Sequence, residues 1–264
     1  MMPHRLTGLR PRLGTSLCVS LALSLVAAAL VQGATVTIDG NALYQTIDGF
    51  GTAQTEAAVL LHDWPEPQRS QILDLMFSQA NGIGLTILLA QIQPGDETQI
   101  GLEPSKGTWN YTDTEQVWVM KQAVTRGVTK LFASVWSPPA WMKTNGKTTD
   151  GGWLATTNYQ DFADYLSHYA GEFARANGVN IYAVSVQNEP EGTETWNSCV
   201  WTGGLMAAFL SDYLSPTFAA NHITAKVIAP ETSRWDHEED FLEATYNNPT
   251  ATARLDIAAS VRRR

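Results

Sequence analysis

Val184-Ser-Val-Gln-Asn-Glu-Pro190 decides how the rest of the chain is read. Ile181 to Val186 is a short, almost wholly apolar run of strand length. It stops at Gln187-Asn188-Glu189-Pro190. Pro190 offers no N–H to a sheet ladder and disfavours helix in the residue before it. Asn188 and Glu189 therefore stand at the carboxyl end of a buried strand. In an α/β barrel that end carries the reactive groups. An amide beside a carboxyl pairs a hydrogen-bonding group with a proton donor. A turn that contains a glutamate is the competing reading, and this stretch alone leaves both open.

Working outward, strands and helices alternate. Thr35 to Asp39 alternates like a short strand, and Ile47-Asp-Gly-Phe-Gly51 reads as a strand end. Helices are expected over Gln68–Ala80, Thr114–Arg126, Tyr159–Asn177, Leu205–Ala220 and His237–Tyr246. Apolar strands are expected at Leu85–Ala90, buried on both faces, and at Leu131–Trp136, Ile181–Val186, Ala225–Ala229 and Leu255–Ala259, with the fifth of the six stopped by Pro230. Six strands in strict alternation with helices imply a parallel sheet covered by helices. A doubly wound sheet shares that alternation, but it calls for a G-x-G-x-x-G loop after an early strand, and the chain has none.

Four strand ends carry polar or aromatic clusters: Gly49-Phe-Gly51, Trp136 to Gly146, Gln187 to Pro190, and Ala229-Pro-Glu231. That is the pattern of a barrel mouth. The fold class expected is α/β, a (β/α)8 TIM-type barrel of which about six βα units are present.

Composition narrows the function. The 264 residues are 44% hydrophobic, enough for one sizeable core, and a net charge of −9 argues against a nucleic-acid partner. Residues 1–33 read as a secretory leader: a basic start at Arg5, Arg10 and Arg12, an apolar run from Leu17 to Val31, and small residues before a cut after Gly33. The mature chain is then expected to be secreted and without a membrane span; a monomer is expected. Cys18 leaves with the leader, so Cys199 stands alone and is read as a packed or loop thiol. His62, His168, His222 and His237 lack ligand spacing, so neither a metal nor a cofactor is expected.

The residues Asp48-Gly-Phe-Gly51, Trp136-Ser-Pro-Pro-Ala-Trp-Met-Lys-Thr-Asn-Gly146 and Val186-Gln-Asn-Glu-Pro190 resemble glycoside hydrolase family 30, over roughly residues 35 to 260. The resemblance implies a retaining β-glycosidase for xylan, β-1,6-glucan, β-1,6-galactan or a glucosylceramide-like substrate. It implies Glu189 as acid/base, Asn188 as the residue that holds the sugar 2-hydroxyl, and Trp136 as an aromatic floor. Residues 34–46 are implied to be an N-terminal strand segment of a side β-domain, and 47–264 a partial catalytic barrel. Trp141, Trp153, Trp196 and Trp201 are further candidates for sugar subsites.

The chain departs from the family pattern in two places near the site. Leu89 stands where the family has an arginine at the end of the second strand. The nucleophile, a glutamate on the seventh strand, is expected beyond residue 264, which leaves the chain as given without turnover. The ending Ser260-Val-Arg-Arg-Arg264 also departs from the pattern, as a truncated or frame-shifted reading would. Two alternatives stay open: a non-catalytic carbohydrate-binding barrel, and a retaining glycosidase that uses Glu231 as nucleophile.

Overall fold

The computed structural model describes residues 39–54, 56–95, 100–112 and 114–261. The leader at 1–33, most of the strand expected from Thr35 and the basic tail at 262–264 lie outside the described residues. The chain divides at Ile47/Asp48 into two units. Of the first, residues 39–47 form a turn in which Asn41 N–H donates to Asp39 Oδ1 at 2.9 Å.

The second unit holds six strands: β1 (Gly51–Ala53), β2 (Ile87–Ile92), β3 (Lys130–Val135), β4 (Ile181–Ser185), β5 (Lys226–Thr232) and β6 (Ile257–Ser260). They lie side by side in chain order, every pair parallel. The connections carry α1 (Glu56–Asp63), α2 (Gln68–Phe77), α3 (Glu115–Val124), α4 (Tyr159–His168), α5 (Ala174–Asn177), α6 (Gly203–Phe209), α7 (Ser215–Ala220), α8 (Glu238–Tyr246) and α9 (Pro249–Arg254). This is a parallel half-barrel, an incomplete (β/α) barrel, as the alternation implies. Among the described residues β1 and β6 each pair on one side only.

Local chemistry sets the element ends. Thr114 caps α3, its hydroxyl accepting from Val117 N–H at 3.4 Å. Gly178 ends α5 at φ 64°, the left-handed position that glycine tolerates without a Cβ penalty. The helix expected over 159–177 is continuous but passes through a π turn at Tyr169–Phe173, and the helix near 205–220 does the same at Leu210–Leu214. An apolar stripe does not register the extra residue of a π turn.

Three expectations are corrected. β5 does not stop at Pro230 but runs through it to Thr232. Proline is tolerated there because regular pairing with β4 ends at Ile228, and the ladder to β6 is irregular between Ile228 and Glu231. Leu89 sits inside β2, three residues before its end, not at the strand tip. Towards their amino ends the early strands are buried on one face only: Leu88, Ala90, Leu131 and Ala133 are buried, while Leu89, Phe132 and Tyr182 are half-buried on the concave face; towards their carboxyl ends both faces are buried, as at Gln91 and Ser134. An open half-barrel leaves the amino-terminal part of that face uncovered. α1 and α9 were unexpected; Asn248, which accepts from Thr250 and Ala251 N–H, and Pro249 at N1 are the start signals for α9.

The core lies between the convex face and the helices. Its aromatic centre joins α4 and α6, where Phe162 and Phe209 rings lie 5.4 Å apart and Trp201 lies 5.4 Å from Phe209. Trp201 is 3% exposed, so it belongs to this core and not to a sugar subsite. Cys199 is fully buried, and burial pushes its thiol up to about 11.

Candidate active site

The polar groups gather at the carboxyl end of β3, β4 and β5. Beyond Ser185 the chain of β4 stays tied to both neighbours. Asn188 N–H donates to Val135 O at 2.7 Å, and Glu189 N–H donates to Glu231 O at 2.8 Å. Gln187, buried, donates through Nε2 to Trp136 O at 2.8 Å and Asn188 O at 2.9 Å. Trp136, Asn188 and Glu189 are thus brought together, as expected from their strand-tip positions. Trp136 and Asn188 are half-buried, and Glu189 is 6% exposed.

Glu189 has φ 47°. A non-glycine residue in the left-handed region costs on the order of 1–2 kcal/mol. The surroundings over-determine it: Gly192 N–H donates to Glu189 O at 2.9 Å, and Trp201 N–H donates to Pro190 O at 2.7 Å. Backbone held in a disfavoured conformation beside a buried carboxyl is a common feature of reactive sites.

Glu231, near the end of β5, is 5% exposed on the concave side. Its Oε2 accepts from the Ser134 hydroxyl at 2.7 Å. Burial raises its pKa, the hydroxyls of Ser185 and Ser134 oppose that, and the charge of Glu189 adds to it. The Ser185 hydroxyl is close enough to act on the carboxylate but makes no well-aligned hydrogen bond. Ser134 and Ser185 escaped the sequence reading, although a lone hydroxyl in each of two apolar strands was the signal.

The Trp136–Gly146 loop is anchored by Lys143. Its ammonium is buried and donates to Thr148 O and Ser198 O. Burial pulls it down to about 8. Trp141 is held through Nε1–H to Glu103 O at 3.1 Å. Trp153 and Trp196 stay 41% and 51% exposed on neighbouring loops.

A third carboxyl stands close by. Glu191 Oε1 accepts from Ser233 N–H at 2.7 Å and Ser233 Oγ–H at 2.6 Å, and lies 2.9 Å from His237 Nδ1. Sequence spacing offered no signal for this cluster, which joins residues 42 and 46 positions apart.

A parallel half-barrel with a buried carboxyl, an amide and an indole at its strand tips defines a glycoside-hydrolase-like protein with a family 30-like fold. The sequence model described as glycosyl hydrolase family 59 matches residues 47–210, and the chain belongs to that family. It is 28% identical to the catalytic domain of GH30 xylanase C from Talaromyces cellulolyticus, covering 82% of this chain and 53% of that one with a TM-score of 0.74. It is 30% identical over 260 residues to glucuronoxylanase XynC of Bacillus subtilis (strain 168), covering 94% of this chain and 54% of that protein. It is 33% identical over 164 residues to galactocerebrosidase of Homo sapiens, covering 60% of this chain and 23% of that protein. The resemblance to family 30 is borne out in the fold, and the match to family 59 adds to it. The chain spans about half the length of the first curated relatives it matches.

Proposed function

We propose that this chain carries the acid/base side of a retaining β-glycoside hydrolase site. Glu189 is the acid/base, Asn188 holds the sugar hydroxyl next to the cleaved bond, and Trp136 supports the sugar ring. The observation that carries this reading is the left-handed, doubly tethered backbone of Glu189 beside Asn188 and Trp136. A glucuronoxylanase and a galactocerebrosidase are among the relatives, so the substrate class proposed is a β-linked polysaccharide or glycoside: xylan, β-1,6-glucan, β-1,6-galactan or a glucosylceramide-like lipid.

In the reaction, Glu189 protonates the glycosidic oxygen as the bond breaks and later takes a proton from water. The nucleophile must lie roughly 5–5.5 Å from it. We place that residue in chain beyond residue 264. Glu231 is assigned a supporting role, because one of its oxygens is held by Ser134 and its backbone carbonyl holds Glu189. Residues 47–264 are the barrel part, 34–46 a side-domain strand, and 1–33 a leader removed on export; N-terminal sequencing of secreted material that starts at Met1 would refute the leader.

The test is Glu189→Gln in a longer chain that includes the nucleophile, with aryl β-glycosides of good and poor leaving groups. Loss of about 10²–10⁴-fold is expected for poor leaving groups, with the good ones spared in the first step. Equal loss on both counts against the role. Binding is read separately: xylo-oligosaccharide should shift the NMR signals of Trp136 and Asn188, and Trp136→Ala should abolish the effect. No helix among the described residues is long and apolar enough to cross a membrane.

A further inference from the structure

We propose that Glu191 is a positioning residue that fixes the left-handed backbone of Glu189 by anchoring it to the segment Ser233–His237 after β5; this rests on the acid/base reading of Glu189. One carboxylate oxygen collects the whole anchor. Ser233 N–H, Ser233 Oγ–H and His237 Nδ1 all lie within 2.9 Å of Glu191 Oε1. An ionised carboxylate only accepts, so Nδ1 is the protonated nitrogen of His237 in this contact.

Burial works against the charge of Glu191, but the donors of Ser233 and His237 outweigh it and hold the carboxyl below its ordinary value. The anchor is therefore charge-assisted, the stronger kind of hydrogen bond. Its other oxygen, Oε2, is buried without a partner, so the orientation of the carboxylate depends on Oε1 alone.

The geometry explains why the anchor bears on Glu189. Between Glu189 and Glu191 stands only Pro190, whose φ is locked by its ring. A shift at Glu191 therefore passes along a stiff link. On the other side Glu189 N–H is tied to Glu231 O, two residues before Ser233. Both ties come from one stretch, Glu231–Ser233, so the reactive turn and the β5 tip move as one body. A role confined to holding the loop would lower stability without touching the orientation of the Glu189 carboxyl.

The experiment compares Glu191→Ala, Glu191→Gln and Ser233→Ala with the parent chain, each checked for cooperative unfolding. The ¹³C carboxyl signal of Glu189, assigned by its loss in Glu189→Gln, should move and broaden in Glu191→Ala. It should return in Glu191→Gln, which keeps an acceptor oxygen, and fall between the two in Ser233→Ala. In a longer chain that includes the nucleophile, turnover of aryl β-glycosides should fall about 10–100-fold in kcat for poor leaving groups, with KM near the parent value and a smaller loss for good ones. An unmoved Glu189 signal in folded Glu191→Ala overturns the proposal, as does equal loss across leaving groups. If Glu189→Gln itself shows no leaving-group dependence, the acid/base reading fails, and the carboxyl signal still decides whether Glu191 positions Glu189.

Discussion

Ser134 on β3 reaches past β4 to donate its hydroxyl to Glu231 Oε2 on β5, at 2.7 Å. One hydrogen bond thus spans three strands beneath the residues at the mouth. It is also the geometric basis for the first prediction. Ser134→Ala removes the one well-aligned side-chain donor to this buried carboxyl among the described residues, and a buried acceptor left short of a donor costs about 1–3 kcal/mol. The carboxyl, already raised by burial, should rise further. Urea unfolding should show the loss, and a carboxyl signal of Glu231 that titrates at the parent pH in Ser134→Ala would contradict it.

Glu103 supplies a prediction about pH. It is buried, its Oε1 accepts from Gly107 N–H at 2.8 Å, and its Oε2 has no partner. Burial first, with Asp161 and Asp164 adding to it, raises the carboxyl from 4.5 to about 7. A folded-state value above the unfolded one means the folded state holds the proton more tightly. The stabilisation is fully present below 4.5 and is lost as pH rises through about 7. Glu103→Gln should therefore flatten the decline in melting temperature over that window. A decline as steep as in the parent chain would show that the pH dependence arises elsewhere.

Gly203 opens α6 where it meets α8. A Cβ at this position would lie 2.5 Å from Asp240 O and 2.9 Å from Phe241 Cα, both backbone atoms that cannot swing aside. Gly203→Ala should cost about 1–3 kcal/mol through overpacking, despite alanine's better helix propensity. Gly204, one residue on, has open space at its Cβ, so Gly204→Ala is the control and should be neutral or stabilising. Equal melting temperatures for the two variants would refute the account.

Much of the fold is legible in the amino-acid sequence. Five apolar runs of strand length after the strand end at Ile47–Gly51, alternating with helical stripes, specify parallel pairing, because a strand followed by a helix must return in the same direction. The strand-tip placement of Trp136, Asn188 and Glu189 follows from the same pattern, since Ser137-Pro138-Pro139 and Pro190 stop the runs just after them. Local sequence also marks Thr114 as a cap and Gly178 as a helix end.

What joins those tips was decided only by tertiary structure. Ser134 meets Glu231 across 97 positions of chain, and Glu191 meets His237 across 46. Such contacts depend on register between parallel strands, and a shift of one residue would turn every side chain to the other face. Trp201 could be a sugar platform or core by composition, and only packing against Tyr159, Phe162 and Phe209 assigns it to the core. The passage of β5 through Pro230 needed the pairing of its neighbours, because a proline ends a strand only where its missing N–H would have been used. A one-dimensional pattern carries propensity and period, whereas the site is made of distances between strands, and those exist only once the sheet has formed.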